Sequence, residues 1–267
     1  MSLNQQVIFI TEASRGIGLV TVHEAVSRGA RVFMVSASED ELQLLQDEMR
    51  VKGFETAYAV ADVAEYDQLQ FAADTCLSTF GRIDIWVNCA AFNLYQKILD
   101  TSDAEAKRLF DTNFWGVVNG CKIAISLMKA QNQGGIINLG SLHSDIALPL
   151  QGLYSASQHA IKGFTDSLRR ELMSEKSSLS ISLIVAGGAK NSEVAEAILM
   201  CAENPNSDYV LGNVAKVLPP CLPPPMGTKI PKGKLKRKKE KPFLVEAFIE
   251  IILVDEVYYP DDYTTEK

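Results

Sequence analysis

The sequence predicts a doubly wound α/β fold, a single parallel sheet of about seven strands with helices on both faces. Three observations carry this. Short, β-branched apolar runs alternate with helix-length stretches whose apolar residues recur at three- and four-residue steps, from Val7 to about residue 211. The first run, Val7 to Ile10, leads through a glycine-bearing turn into a helix pattern. A later run, Ile136, Ile137 and Leu139, ends at Gly140-Ser141, and a loop then leads to a helix opening near Tyr154.

Composition sets the outer bounds. At 267 residues and 47% hydrophobic, the chain can bury one substantial core. Residues 1–215 hold 16 Lys/Arg against 25 Asp/Glu, an acidic balance that excludes a nucleic-acid-binding body. The five cysteines (76, 89, 121, 201 and 221) are scattered and lack C-x-x-C spacing. Reduced thiols in a cytoplasmic setting are expected, with no metal site. No secretory signal is read at the N-terminus, and no apolar run approaches the ~18 residues a membrane span needs.

Residues 11–18, TEASRGIG, follow the first strand, and Leu19, Val22, Ala25 and Val26 mark the helix behind them. Free N–H groups and the helix dipole make such a turn a seat for pyrophosphate. Arg31 to Val35 is the second strand, followed by Ser36-Ala37-Ser38 and a helix over 39–52. A third strand, 55–60, ends in Ala61-Asp62-Val63, where Asp62 can cap the helix at 65–80. Ile83 to Val87 is the fourth strand and leads to Asn88-Cys89-Ala90-Ala91, with Cys89 read as core filler. A long helix is expected over 101–130, a strand from Ser178 to Val185, a helix capped by Asn191 or Ser192, and an edge strand Tyr209 to Leu211.

The chemistry gathers around residues 136–159. Tyr154 opens a helix whose buried face is Ile161, Phe164, Leu168 and Leu172. A hydroxyl at the strand end (Ser141) and a phenol in the next helix's first turn can meet over one cleft, an arrangement suited to carbonyl/alcohol chemistry. A phenol with its free pKa of ~10 needs a nearby cation to act at neutral pH. The place for one is a turn further on, and there the chain carries the neutral Gln158. His143 and Asp145, just after Ser141, either line the substrate side or, the preferred reading, stabilise the loop or lie at the surface.

Ser141, Tyr154, the YSAS and KGF text around them, and the glycine turn together resemble the short-chain dehydrogenase/reductase family, over roughly residues 5–215. The resemblance implies a Rossmann-like fold, NAD or NADP as cofactor, and a small carbonyl or alcohol substrate. It makes Tyr154 the acid/base, Ser141 the residue that orients substrate and Asn113 the support of a bound water, with Gln158 where the family has Lys. Thr11, Ser14, Arg15, Gly16, Ile17 and Gly18 would form the phosphate turn, Asp62 and Val63 the adenine contact, and Asn88 and Ala90 the remainder of the N-N-A-G segment. The chain departs from the family at Glu12, where the fingerprint has its first Gly, and at Cys89 and Ala91. A carboxylate at Glu12 would crowd the adenosine end and repel a 2′-phosphate. Neither Ala37 nor any acid at the second strand's end decides between NAD and NADP, and Arg15 is either a phosphate partner or a solvated loop residue. The substrate lid expected after the sixth strand is missing.

Three functions follow: a slow NAD(P)-dependent oxidoreductase, a cofactor-binding sensor without turnover, or a partner that pairs helices 104–130 and 152–174 with a second copy or with an active relative. Beyond residue 215 the text changes to PPCLPPP (219–225), a basic run with eight Lys/Arg (229–241) and the apolar FLVEAFIEIILV (243–254). The preferred expectation is a solvated basic linker with the apolar run docked on the body, a tail separable from the fold, its Lys234–Lys241 segment open to a nuclear or membrane-surface role.

Overall fold

A computed structural model describes residues 3–204 and 208–211, and for Tyr209 and Val210 the backbone alone. The chain divides into two units, Met1–Leu222 and Pro223–Lys267. The proline-rich, basic and apolar segments of the tail, and the expected boundary at residue 215, lie outside the described residues.

Seven strands run β1 (Val7–Thr11), β2 (Arg31–Ser36), β3 (Thr56–Val60), β4 (Ile85–Asn88), β5 (Gly134–Ser141), β6 (Leu179–Ala186) and β7 (Tyr209–Leu211). All neighbours pair in parallel, in the order β3-β2-β1-β4-β5-β6-β7. The helices are α1 (Gly16–Ser27), α2 (Glu39–Val51), α3 (Tyr66–Phe80), α4 (Asp103–Phe110), α5 (Gly116–Gln131), α6 (Gly152–Ser174) and α7 (Asn191–Glu203). Successive side chains of a strand face opposite sides, so each strand serves two cores. Val7 and Phe9 join Phe33 and Trp86 beneath α3, α5 and α6. Ile8 and Ile10 join Val32 and Met34 beneath α1, α2 and α7. Phe9 stacks on Trp86 with ring centroids 3.9 Å apart and on Phe33 at 5.5 Å, which pins three neighbouring strands at the sheet centre.

The strand order reverses between β1 and β4, and a crevice opens there beyond the strands' carboxyl ends, the usual ligand position in such sheets. The expected sheet and helices are present, with three local differences. The single helix expected over 101–130 is α4 and α5 joined by a π-helical turn, Asp111–Trp115. The residue at the head of α3 is Glu65, not Asp62, whose carboxylate accepts the Ala64 N–H and pairs with Arg108 at 2.8 Å. The residue at the head of α7 is Lys190, whose N–H donates to Glu193 Oε2 at 3.0 Å, so Asn191 and Ser192 already lie inside the helix.

Among the described residues no helix is long and apolar enough to cross a membrane. Nor does any cluster of three His, Cys, Asp or Glu among them offer a metal site.

Candidate functional site

The turn from β1 to α1 forms one wall of the crevice. Gly16 takes φ +54°, a left-handed conformation with open space where a side chain would start. At Gly18 a Cβ would run into the Glu12 carbonyl, so only glycine lets α1 sit this close to the loop. Arg15 occupies the N-cap position of α1 without a side-chain cap, and the helix's first N–H groups face the carboxyl ends of the strands. A dinucleotide's pyrophosphate fits this backbone.

One side chain complicates the fit. Glu12 also has a positive φ, 53°, in the left-handed region that its family counterpart fills with Gly. Its carboxylate meets Arg15 Nε at 2.7 Å and accepts a backbone N–H from Ala91, so it reaches from the β1 loop to the loop after β4. Burial pushes its carboxyl pKa up, Arg15 and the Ala91 N–H pull it down, and the charge of Glu41 adds to the rise.

The other residues expected to face the dinucleotide divide by side chain. Thr11 is buried, and its Oγ1 accepts the N–H groups of Cys89 (2.9 Å) and Ala90 (3.2 Å), holding the β4 loop against β1. Asn88 points into the protein: its amide accepts from Trp86 Nε1 at 2.8 Å and donates to Asn138 Oδ1 at 2.8 Å. Asn138 in turn donates to Thr165 Oγ1 at 2.9 Å. The polar chain ties β4 and β5 to α6, so the Asn88 side chain is a support under the crevice. Gly120 makes room for it, since a Cβ there would strike Asn88 Oδ1. Val63 is buried against Gly116 of α5. Ile17 is half-buried against the core beneath α1.

The second wall holds the expected reaction residues, and the structure links them. Ser141 ends β5 with its Oγ 3.1 Å from His143 Nδ1. His143 Nε2 lies 2.7 Å from Gln151 Oε1, and its ring meets Tyr154 edge-on at 5.2 Å between centroids. Burial lowers the His143 pKa, only partly offset by Gln151. A neutral imidazole facing an amide oxygen carries its proton on Nε2, which leaves Nδ1 to accept the Ser141 hydroxyl proton. The sequence leaves His143 between a substrate-side and a loop or surface role; the fold sets it against both Ser141 and Tyr154. Asp145 pairs with Lys162, as a surface residue would.

Asn113 sits in the π turn, fully buried. Its Oδ1 accepts the Phe92 N–H at 2.9 Å, and its Nδ2 donates to the Phe92 carbonyl at 2.9 Å and to Ser157 Oγ at 3.3 Å. Ser157 donates to the Tyr154 carbonyl at 2.7 Å, so Asn113 fixes the first turn of α6 and the β4 loop together. A π turn of this kind often marks a functional position in a helix. Gln158 follows Ser157 and is 1% exposed. The link from β6 to α7 is only Gly187–Lys190, and Gly187 N–H donates to the Leu211 carbonyl at 2.9 Å, so no lid arises there.

The fold and site define a dinucleotide-binding α/β protein with a hydroxyl and a phenol at the carboxyl ends of its central strands. The family model described as short chain dehydrogenase matches residues 6–199, and the chain belongs to that family of oxidoreductases. It is 36% identical over 241 residues to "Uncharacterized oxidoreductase YxnA" of Bacillus subtilis (strain 168), covering 81% of this chain and 68% of that one. It is 32% identical over 171 residues to "Tropinone reductase homolog" of Datura stramonium, covering 64% of each. The backbone is similar to a short chain dehydrogenase/reductase from Burkholderia phymatum solved in complex with NAD (TM-score 0.76, 20% identity, 79% of this chain and 90% of that one). It is also similar to a metagenomic short-chain oxidoreductase in complex with NADP (TM-score 0.72, 24% identity, 80% and 100%).

Proposed function

We propose that the protein is a slow, open-site NAD(P)-dependent oxidoreductase that interconverts a small carbonyl compound and its alcohol. The observation that carries this is the linked set Ser141, His143 and Tyr154 at the carboxyl end of β5, beside the glycine turn of β1. The dinucleotide would be held by the turn Thr11–Gly18, by Asp62 and Val63 at the end of β3, and by the Asn88–Ala90 segment. When bound it supplies or takes up the hydride.

Tyr154 is the group that gives its phenolic proton to the carbonyl oxygen in reduction and takes it back in oxidation. Ser141 orients that oxygen, but its hydroxyl proton is first directed to His143 Nδ1 and must turn away from the imidazole to reach a substrate. Asn113 acts as a positioning residue, through Ser157, on the turn that carries Tyr154. Two features set a slow rate. Gln158 brings no charge to Tyr154, and a neighbouring cation is worth ~1–3 pK units to such a group. The four-residue β6–α7 link leaves the cleft wet, and water at the reacting centre weakens the electrostatic help the protein gives.

The same two features support a second reading, a sensor that binds the dinucleotide without turnover. An assembly role through α4–α5 and α6, with a second copy or an active relative, finds support in the exposed Trp115, 48% accessible in the π turn just before α5. Light scattering of the purified chain tests it. Among the described residues Cys76, Cys89, Cys121 and Cys201 are in no disulfide, which suits a reducing, cytoplasmic setting.

Fluorescence titration with NADH and NADPH, followed by a panel of ketones and aldehydes with the bound dinucleotide, tests all of this. Binding with reduction supports the oxidoreductase, and binding alone the sensor. Absence of binding refutes both.

A further inference from the structure

The Ser141 hydroxyl has one proton and two lone pairs to place. Its Oγ lies 3.1 Å from His143 Nδ1 and accepts the His143 backbone N–H at 3.4 Å. Across the ring, His143 Nε2 lies 2.7 Å from the side-chain amide oxygen of Gln151, a buried residue. That oxygen only accepts, so in the neutral ring the proton stays on Nε2 and Nδ1 is bare. The Ser141 proton is then committed to Nδ1 and one lone pair to the backbone N–H. What remains for a substrate is a single lone pair. A proton added to the ring goes to Nδ1, and the arrangement inverts. Nδ1–H now donates to Ser141, both lone pairs are filled, and the serine proton is released toward the cleft.

We propose that His143 is a positioning residue whose own proton decides which oxidation state of the substrate the site holds. With the ring neutral, Ser141 accepts from the O–H of an alcohol; with the ring protonated, it donates to the oxygen of a carbonyl. The inference rests on the reading of Ser141 and Tyr154 as the reacting pair. An alcohol oxygen accepts from Tyr154 and donates to Ser141 at once, so it satisfies both. A carbonyl oxygen only accepts, and against a neutral His143 it faces the Ser141 lone pair and forfeits one of its two hydrogen bonds. Burial disfavours the charged ring and holds its pKa below 6.5, so the alcohol-holding arrangement is the one present at neutral pH. From α6, Tyr154 meets the ring edge-on, and a charge on His159 opposes one on His143. β5 and β6, which also pack on the turn Leu142–Ser144, carry no titratable side chain. Asp145, next in the chain, is paired with Lys162.

The test is steady-state kinetics of the full-length protein on a ketone and its own alcohol drawn from the panel, between about pH 5 and 8. Dinucleotide is kept saturating, so that titration of Glu12 does not enter. As His143 gains its proton, the ketone's KM should fall and the alcohol's KM should rise. Their ratio should move about fivefold or more, the scale of one hydrogen bond. His143→Gln should make that ratio independent of pH. Gln151→Glu sets a carboxylate against Nε2–H, favours the imidazolium, and should move the change to higher pH. A residue that only holds the loop would shift both Michaelis constants by one factor at every pH. That result, a wild-type ratio unmoved by pH, or a ratio still moving in His143→Gln would overturn the role of His143 and leave the oxidoreductase reading standing. Turnover of no pair in the panel overturns both. The wild-type profile decides without any variant, so poor folding of Gln151→Glu does not weaken the test.

Discussion

Glu12→Gly separates the strain of the glycine loop from its electrostatics. In the native loop Glu12 sits at φ 53° and spans from Arg15 Nε at 2.7 Å to the Ala91 N–H. Glycine would relieve a left-handed residue, worth about 1 kcal/mol. It would lose a partly exposed ion pair worth ~0–1 kcal/mol. The desolvation that raises the Glu12 pKa outweighs that pair, so glycine should raise the melting temperature modestly at neutral pH, and binding is read separately by titration. A carboxylate ~5 Å from one phosphate charge costs about 3 kcal/mol at an effective dielectric constant of 20, and less where water reaches. Dinucleotide affinity should thus rise ten- to thirtyfold, about 1.4–2 kcal/mol, with NADPH gaining the larger factor for its extra phosphate. Fluorescence titration of both variants reads this, and unchanged affinities would refute the role given to Glu12. The melting curves hold a second check. A carboxyl whose pKa is raised on folding from 4.5 binds more protons in the native state, so it lowers stability as pH rises through that value toward its native one. The advantage of Glu12→Gly over wild type should therefore be smallest below pH 4.5 and grow above it.

Gln158→Lys should place an ammonium one turn from Tyr154 and raise carbonyl reduction at least about tenfold, ~1.4 kcal/mol of barrier, in steady-state assays. Tyr154→Phe must abolish that gain, and a Gln158→Lys variant that binds dinucleotide yet reduces nothing would make the short β6–α7 link the greater lesion. Burial holds the His143 pKa below 6.5, so the unfolded chain binds more protons as pH falls through 6.5, and stability present above that value is lost below it. His143→Gln should flatten that loss in melts across the weakly acidic range. It should also free the Ser141 hydroxyl and shift the acid limb of the rate profile, whereas an unmoved profile would leave His143 a loop residue. Asn113→Ala strands the Phe92 N–H and carbonyl, and chemical denaturation should show about 2–4 kcal/mol of lost stability. A loss well under 1 kcal/mol would mean that water replaces the amide.

Much of the architecture was legible in the residues because strand and helix periods are local. The unbroken apolar run Val7–Ile10 marks a strand covered on both faces, where every side chain must leave water. The glycines at 16 and 18 are readable for a similar reason, since the backbone there admits no side chain at small cost. The short β6–α7 link showed as text missing between Val185 and Asn191. Polar groups were different. The sequence made Asn88 a dinucleotide contact, yet its amide is spent on Trp86 and Asn138, because a buried amide must find partners from whichever strands the sheet order brings beside it.

The sequence by itself determined the class of fold, the glycine turn after β1, the Ser141/Tyr154 pair and the missing charge at Gln158, since each rests on residue type and short spacing. Only the tertiary structure decided the strand order, the π turn at Asn113, the Ser141–His143–Gln151 chain and the meeting of Ser14 with Ser36 and Glu41. Those depend on which ends of which strands and helices come within about 3 Å of each other. That closeness is set by the packing of the whole sheet rather than by any stretch of chain.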